Sequence, residues 1–536
     1  MCKASDVIIV GLIFGLCFVI IHVDCEIFSA IEKLEQLFRS ERIFIRELEK
    51  FAKTVDDDYI HRKLRAWKLE HNSINNTDIW RYITNPLNAF LMIKRSTTDI
   101  ELIEKRFGKK SDEFLHNIRR LQPEALDLTG AVDGLLRLQF FYKLKTVDIA
   151  NGIIDGVPTR SPLSIHDLFV IGEQALKVDE TDYLALEYLS MVWKQLKQGL
   201  DVDNEINEEN LILVLIHTYT RVSSNREALE MIKELKRKFP QTATMFSVTE
   251  KMLINELKKF NASSQNVLDP FANNFVHDGK YTDAKDRILN SQVCRGDEPK
   301  STSKLYCRYA STNAFSQLAR FKVEEANLEP YILLFIDVVS NDEIKFLKTA
   351  SKQKQGPGTI RESSLLSSHR IAQVAWHYKY EHKFFRTLSR RIEDMTGLSQ
   401  KTAEPLQTQN YGIGGHYSSH WDFYEKSEKP VKENGNRIAT VLFYLSDVEK
   451  GGGTVFPFLN LRVLPRKGAA VFWHNLSPCG AYDFLTRHSA CPVLLGSKWV
   501  ANAWIREYDN EFRRPCFRDE MYDDKRREQM LYEQFY

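Results

Sequence analysis

Three residues near the C-terminal end of the chain could share one cation. They are His420 and Asp422, in His420-Trp421-Asp422, and His488, in Thr486-Arg-His-Ser-Ala-Cys-Pro492. The stretch Tyr417 to Tyr424 reads as a strand. Residues two apart on a strand project to one face, so the imidazole and carboxylate are expected to point inward together. An H-x-D pair alone is a chance pattern in a chain with 14 His, and His22-Val-Asp24 near the start is another. His488 changes its weight, because it lies far enough downstream for a returning strand to bring it beside the pair. Two imidazoles and one carboxylate on one face, with the opposite positions open, form the donor set of non-haem Fe(II) oxygenases. Further on, Lys498 opens an otherwise apolar strand, Lys498-Trp-Val-Ala-Asn-Ala-Trp504. A lysine on the inward face of such a strand is costly to bury without an anion. A carboxylate of 2-oxoglutarate would supply one while its keto-acid end chelates the iron. Alternation puts Asn502 and Trp504 on the same face as Lys498.

These residues need a β scaffold, and the C-terminal half supplies one. From Pro330 the texture becomes short apolar runs, beginning with Tyr331 to Asp337. Ile438 to Leu445, Arg462 to Leu464, Ala469 to Trp473 and Trp499 to Ile505 have strand length, with turn residues between them. Many short strands without a helical period imply a sandwich, barrel or jelly roll. The glycines of Gly412-Ile-Gly-Gly415 and Gly451-Gly-Gly453 lack phosphate-loop spacing and read as tight turns.

The N-terminal half reads as helix. Ile31, Leu34, Phe38, Ile45, Leu48 and Ala52 form an apolar stripe broken only by Glu41. Such a stripe is either a self-association seam or an amphipathic helix packed within its own domain. Ser164 with Asp167 is a capping-box start, and a following helix runs from Thr181 to Gln198, ended by Gly199. Leu215, Tyr219, Ala228, Ile232 and Pro240 then match a tetratricopeptide spacing, in which a small Ala lets paired helices approach. Such units form a concave groove, and one lined by aromatics suits an extended proline-rich peptide. The polar stretch from about 260 to 325 reads as a linker, with Cys294 and Cys307 close enough to close a small loop.

Composition excludes little. The 536 residues predict two to four domains at roughly 100–200 residues each. Lys plus Arg is 74 and Asp plus Glu is 72, a balance that offers no footprint for nucleic acid or an anionic membrane. The uncharged run from Val7 to Ile21 is a signal-peptide core, shorter than the about 20 residues of a membrane span. It predicts cleavage near Glu26 or an uncleaved signal anchor. Either route leads to the secretory pathway, where sequons at Asn75, Asn261 and Asn475 and sparse disulfides are at home. Beyond Cys2, Cys17 and Cys25 of the leader, an odd number of cysteines remains, leaving one thiol free.

Longer matches carry a resemblance. They are Gln409-Asn-Tyr-Gly-Ile-Gly-Gly415, His420 with Asp422, Gly435 to Thr440, Gly452 to Pro457, Thr486-Arg-His488, Cys491-Pro, Lys498-Trp-Val and Phe512 to Cys516. Through these the C-terminal part resembles the 2-oxoglutarate dioxygenases, and more closely the α subunit of collagen prolyl 4-hydroxylase. The resemblance spans nearly the whole chain. It implies an α+β multidomain fold: an all-α N-terminal half (a coiled-coil-like helical domain plus tetratricopeptide-like helices), then a double-stranded β-helix (jelly-roll) catalytic domain. The expected order is a signal peptide over 1–25, a helical assembly domain over 26–155 and a peptide-binding domain over 156–260. A disulfide-stapled linker over 261–325, the dioxygenase domain over 326–517 and a charged tail over 518–536 follow.

The resemblance also implies roles. His420, Asp422 and His488 would ligate Fe(II), Lys498 would anchor 2-oxoglutarate, Tyr411 and Thr454 would line its pocket, and Arg437 and Trp504 would lie near the peptide. It implies disulfides Cys294–Cys307 and Cys491–Cys516, with Cys479 free. The implied reaction is hydroxylation of proline C4 with O2 and 2-oxoglutarate, giving succinate and CO2, with L-ascorbate rescuing oxidised iron. The implied partner is protein disulfide isomerase as β subunit of an α2β2 tetramer, in the lumen of the endoplasmic reticulum, with no membrane span after signal cleavage. The chain departs from the family pattern at Arg506, at Trp421, and at Val214 and His217, where groove tyrosines are usual, although the resemblance keeps Tyr183 and Tyr219 as peptide-groove residues. These departures leave room for the same iron chemistry on a non-collagen substrate. A non-catalytic peptide-binding assembly subunit is the reading from a different class.

Overall fold

The computed structural model describes residues 30–75, 78–159, 161–178, 181–259, 283–297, 304–358 and 369–516. The leader, the sequon at Asn261 and the charged tail lie outside the described residues. Two compact units divide the chain, one running from Lys33 to Val276 and the other holding His277–Tyr536 together with Cys2–Glu32.

Among its described residues the first unit is helical apart from a small hairpin, Ile153–Ile154 with Val157–Pro158. The apolar stripe of its first helix, Ile31–Val55, is buried except for a half-buried Ile45, with Leu34 and Leu48 fully enclosed and Phe38 stacked on His71 at 4.5 Å. The stripe therefore packs within its own unit, the second of its two expected outcomes. Glu41, the break in the stripe, is buried too, and accepts from Arg95 Nε at 3.0 Å and Nη2 at 2.8 Å. Beyond the hairpin, helices Ile165–Ala175, Asp182–Lys197, Glu208–Arg221 and Asn225–Lys238 pack each against the next. Ser164 and Asp167 form the expected capping box, and Tyr188, Leu215, Ala228 and Ile232 are fully buried. Each such apolar side chain of Leu or Ile size contributes roughly 1.5–3 kcal/mol relative to exposure.

A buried ion cluster ties these helices to those before the hairpin. Lys94 Nζ, on a side chain only 2% exposed, lies 2.7 Å from Asp99 Oδ1 and 2.7 Å from Asp167 Oδ1. Burial alone would raise the Asp99 carboxyl, but Lys94 and Lys63 hold it well below the usual carboxylate range. Lys94→Met would leave two buried carboxylates facing each other, and it is expected to cost about 3–5 kcal/mol in urea unfolding. A depressed carboxylate stabilises the fold above its unfolded pKa and loses that stabilisation as pH falls through its folded value. The gap between wild type and variant should therefore shrink on acidification.

The second unit is a β structure whose described strand pairs are all antiparallel. One sheet has nine strands, in spatial order Cys307–Ala310, Phe321–Asn327, Ile332–Ile336, Ala470–His474, Arg437–Tyr444, Lys498–Arg506, Leu406–Tyr411, Gln373–His377 and Gly356–Pro357. A second, smaller sheet runs Leu461–Val463, Thr454–Phe456, His488–Ala490, His416–His420 and Arg370–Ile371. Register explains the layering. Thr440 stands opposite Trp504 and Trp473, and Leu442 opposite Asn502 and Val471, so these share one face. The apolar members of that face, Leu442, Val471, Trp473 and Val500, pack with Phe456, Val463 and Val493. The other face, with Val441, Phe443, Trp499 and Ile505, is covered by helices Asn341–Lys352 and Lys383–Thr396 through Leu347, Phe385 and Leu388.

Two expectations fail here. The stretch read as a linker carries two strands of the large sheet and helix Asp283–Arg295. The implied disulfides are also re-paired: Cys294 bonds Cys491, Cys479 bonds Cys516, and Cys307 is free and exposed. Closeness in sequence misled because Cys307 begins an edge strand, while the helix of Cys294 packs against the smaller sheet. That helix braces the strands behind the candidate metal ligands. Asn290 Nδ2 donates to Ser419 Oγ at 2.6 Å, and Ser489 Oγ donates to Asn290 Oδ1 at 2.7 Å. Among the described residues, no helix is long and apolar enough to cross a membrane.

Candidate metal and cosubstrate site

His420 ends one strand of the smaller sheet, His488 begins its neighbour, and the register sets them opposite each other. Asp422 lies beyond the strand, which stops at His420 rather than running to Tyr424. Strand alternation therefore does not position it. Arg437 Nη1 donates to the Asp422 carbonyl at 3.3 Å, and Thr440 Oγ1 donates to Asp422 Oδ2 at 2.6 Å. With Asp422 so held, Oδ1 stands 3.6 Å from His420 Nε2 and Oδ2 stands 3.7 Å from His488 Nε2. One donor atom from each of the three residues lies within 4.8 Å of the others.

The backbone sets the tautomers. His420 Nδ1 is 2.8 Å from the Ser418 carbonyl and His488 Nδ1 is 3.0 Å from the Thr486 carbonyl. A carbonyl only accepts, so each Nδ1 carries the proton and each Nε2 turns its lone pair toward the shared point. Burial, reinforced by His420, pushes His488 down to about 4. Burial would raise Asp422, but His488 and His420 outweigh it and hold the carboxyl below its ordinary range. A carboxylate beside neutral imidazole nitrogen is the protonation state a divalent cation requires.

Sequence patterns did not single out the residues behind Asp422. Thr440 spends its only proton on the carboxylate and accepts from Asn475 Nδ2 at 3.0 Å. Asn475, one of the three sequons, is fully buried, so its amide is a structural donor and no glycan acceptor. Asn75, by contrast, is exposed.

Lys498 is 1% exposed, and among the described residues its Nζ donates to the Gly453 carbonyl and Thr454 Oγ1, each at 3.4 Å. The ring centroid of Tyr411 lies 5.5 Å away. Burial pushes the lysine down to about 7. Gly452, at φ +66°, makes the turn that brings this backbone in, and a Cβ there would crowd Val448 at 3.2 Å. Lys498, Tyr411 and Thr454 thus gather as expected, around an ammonium with no carboxylate partner among the described residues. Such a group fits an incoming dicarboxylate.

Arg437 and Trp504 also come together, the guanidinium 4.0 Å from the indole and 4.6 Å from the Tyr424 ring. Glu404, which sequence reading missed, takes a two-pronged bond from Arg437 at 2.6 and 2.7 Å. Arg506 approaches the same carboxylate at 3.6 Å and donates to the Pro430 carbonyl at 3.0 Å. Tyr183 and Tyr219 belong to the first unit. Both are half-buried, and Tyr219 packs on the cluster of Ile212, Ile216 and Ile232. His217 is exposed and Val214 half-buried.

The chain is similar to known proteins along most of its length. A family model described as "Prolyl 4-Hydroxylase alpha-subunit, N-terminal region" matches residues 30–156, and one for the 2OG-Fe(II) oxygenase superfamily matches 406–506. Prolyl 4-hydroxylase subunit alpha-2 of Caenorhabditis elegans is 36% identical, with 90% of this chain and 89% of that protein covered. Subunit alpha-1 of Bos taurus is 35% identical over 92% of this chain and 96% of its own. Subunit alpha-2 of Gallus gallus is 31% identical over 95% and 98%.

Proposed function

The chain belongs to the prolyl 4-hydroxylase α-subunit family, and from that premise we propose that it hydroxylates C4 of proline in X-Pro-Gly-like peptides. The reaction consumes O2 and 2-oxoglutarate and releases succinate and CO2. The observation that carries this reading is the convergence of His420, Asp422 and His488 beside a buried Lys498 that lacks an anion.

His420 and His488 would hold Fe(II) through Nε2 and Asp422 through a carboxylate oxygen, a donor set suited to that ion. Bound iron supplies the oxygen chemistry that side chains lack. The chain's own part is placement and dryness. Lys498 Nζ takes the far carboxylate of 2-oxoglutarate, with Thr454 and Tyr411 beside it. Trp473 and Phe456, centred 4.8 and 5.7 Å from the His488 ring, keep bulk water off one side. Thr440 and Asn475 fix Asp422. Thr440→Val keeps the volume and removes that donor, and it is expected to weaken iron affinity and turnover about 10–100-fold. Metal titration followed by activity measurement checks this.

The two facing sheets fit a double-stranded β-helix, and the helices from Ile165 to Lys238 fit a tetratricopeptide-like domain for proline-rich peptide. The first-unit helices before residue 156 would serve assembly with protein disulfide isomerase as β subunit in an α2β2 tetramer. The leader and the disulfides favour the endoplasmic reticulum lumen, where L-ascorbate would restore oxidised iron. The replacements at Val214 and His217 favour a peptide preference that differs from its relatives'.

Turnover of a Pro-Pro-Gly repeat peptide by the chain co-expressed with protein disulfide isomerase tests the reading. The expected result is succinate release with matching peptide mass gain, both lost in His488→Ala. Succinate without peptide oxidation would redirect the search to other substrates. Neither signal from a folded, iron-loaded complex would make the chain a non-catalytic peptide-binding subunit.

A further inference from the structure

Trp504 is the inner end of an aromatic row. Its indole lies 6.0 Å from that of Trp376, at an interplanar angle of 46°. Trp376 stands opposite Gln407, and Gln407 opposite Asn502, so Trp376 shares the site face of the nine-stranded sheet. Tyr378 follows two residues on, and Tyr380 stacks on it at 5.3 Å and 21°. Exposure rises outward along the row: 4% at Trp504, 38% at Trp376, 44% at Tyr378 and 76% at Tyr380.

The intervening residues point the other way and are tied down. His377 is buried and stacks on Phe385 at 4.9 Å, and Lys379 donates to the Gln400 carbonyl. The segment is thus anchored from behind while its rings face out. An ordinary core would bury such rings; here the outer members face water.

We propose that Trp504, Trp376, Tyr378 and Tyr380 form a track that holds the chain flanking the target proline of a proline-rich peptide. The catalytic unit would then read part of the substrate itself. This rests on the proposed reaction, and the occupant follows from continuity with its site. A polyproline II strand rises about 3.1 Å per residue and presents flat apolar rings to aromatic grooves. The two ring pairs are spaced at 6.0 and 5.3 Å, each close to the rise of about two such residues. Being preformed on both sides, the contact loses little conformational freedom.

The test compares two-triplet and five-triplet Pro-Pro-Gly peptides. Binding is measured by calorimetry in the His488→Ala background, and turnover in the otherwise wild-type complex. Trp376→Ala and the double change Tyr378→Ala with Tyr380→Ala should each lower the five-triplet to two-triplet affinity ratio about tenfold. The loss should appear in KM for the long peptide rather than in kcat, and Trp376→Phe should recover most of it. Tyr380→Ser, at the most exposed ring, gives a smaller loss in the same direction without threatening the fold.

An unchanged ratio, or equal losses for both lengths, overturns the track. Full turnover with binding indifferent to these changes removes the track and leaves the reaction. Absent turnover with length-dependent binding that needs the rings removes the reaction and leaves the track.

Discussion

Asp422→Ala and His488→Ala should each reduce turnover by at least about a thousandfold while the second unit stays folded. Asp422 carries the only negative charge of the three-residue cluster, and its two oxygens face the two Nε2 atoms at 3.6 and 3.7 Å. Without it, two neutral nitrogens remain, too weak a set to retain Fe(II) against chelation by buffer. Without His488, the cation keeps two adjacent ligands and loses the face that leaves its open positions defined. The fold should tolerate either change. The cluster buries a carboxylate beside two imidazoles, and the neighbouring core of Phe456, Val471 and Trp473 is untouched. Iron content and turnover, measured beside a thermal melt, decide the matter. A folded variant that retains iron and more than about a hundredth of the activity would contradict the assignment.

Lys498→Met should raise KM for 2-oxoglutarate about 100-fold or more, with a much smaller effect on KM for peptide. The change keeps an unbranched side chain and removes the buried ammonium beside Tyr411 and Thr454. The same substitution should stabilise the cosubstrate-free protein, because burial holds this lysine down at about 7 from 10.5. The sign follows from proton counting. Between those values the unfolded chain binds a proton that the folded chain does not, so wild-type stability rises with pH across the window. The stability advantage of the Met variant should therefore narrow from neutral to alkaline pH. In wild type, the affinity for 2-oxoglutarate should weaken as pH climbs past 7, since the anion needs the charged form. Melting curves across pH, with and without 2-oxoglutarate, read both effects. A Met variant with unchanged KM for 2-oxoglutarate would exclude Lys498 as the anchor.

The residues that meet in the site were legible where one local rule sufficed. Alternation along Lys498 to Trp504 places Lys498, Asn502 and Trp504 together because an antiparallel strand has period two. The helix starting after Ser164 was legible for the same kind of reason, a cap and its reciprocal partner three residues on. The misses come where tertiary packing decides. Asp422 reaches its place from outside the strand, drawn by Thr440 and Arg437, which no spacing rule connects to it. Asn475 sits in a sequon, yet its amide is spent on Thr440. Glu41 reads as a flaw in an apolar stripe, and the structure gives it Arg95. The cysteines show the limit most plainly: Cys294 lies close to Cys307 in sequence but meets Cys491, 197 residues away. Trp376 gave no sign in its neighbours, because its meaning depends on a strand arriving beside Trp504.

The most direct measurement is turnover of a proline-rich peptide under 18O2 by the chain co-expressed with protein disulfide isomerase. Peptide and succinate would be analysed by mass spectrometry in the same samples. One labelled atom in each peptide oxidation and one in each succinate, in equal amounts and both lost with His488→Ala, is the predicted result. Label entering proline from water rather than O2, or proline oxidised with no succinate formed, would contradict it.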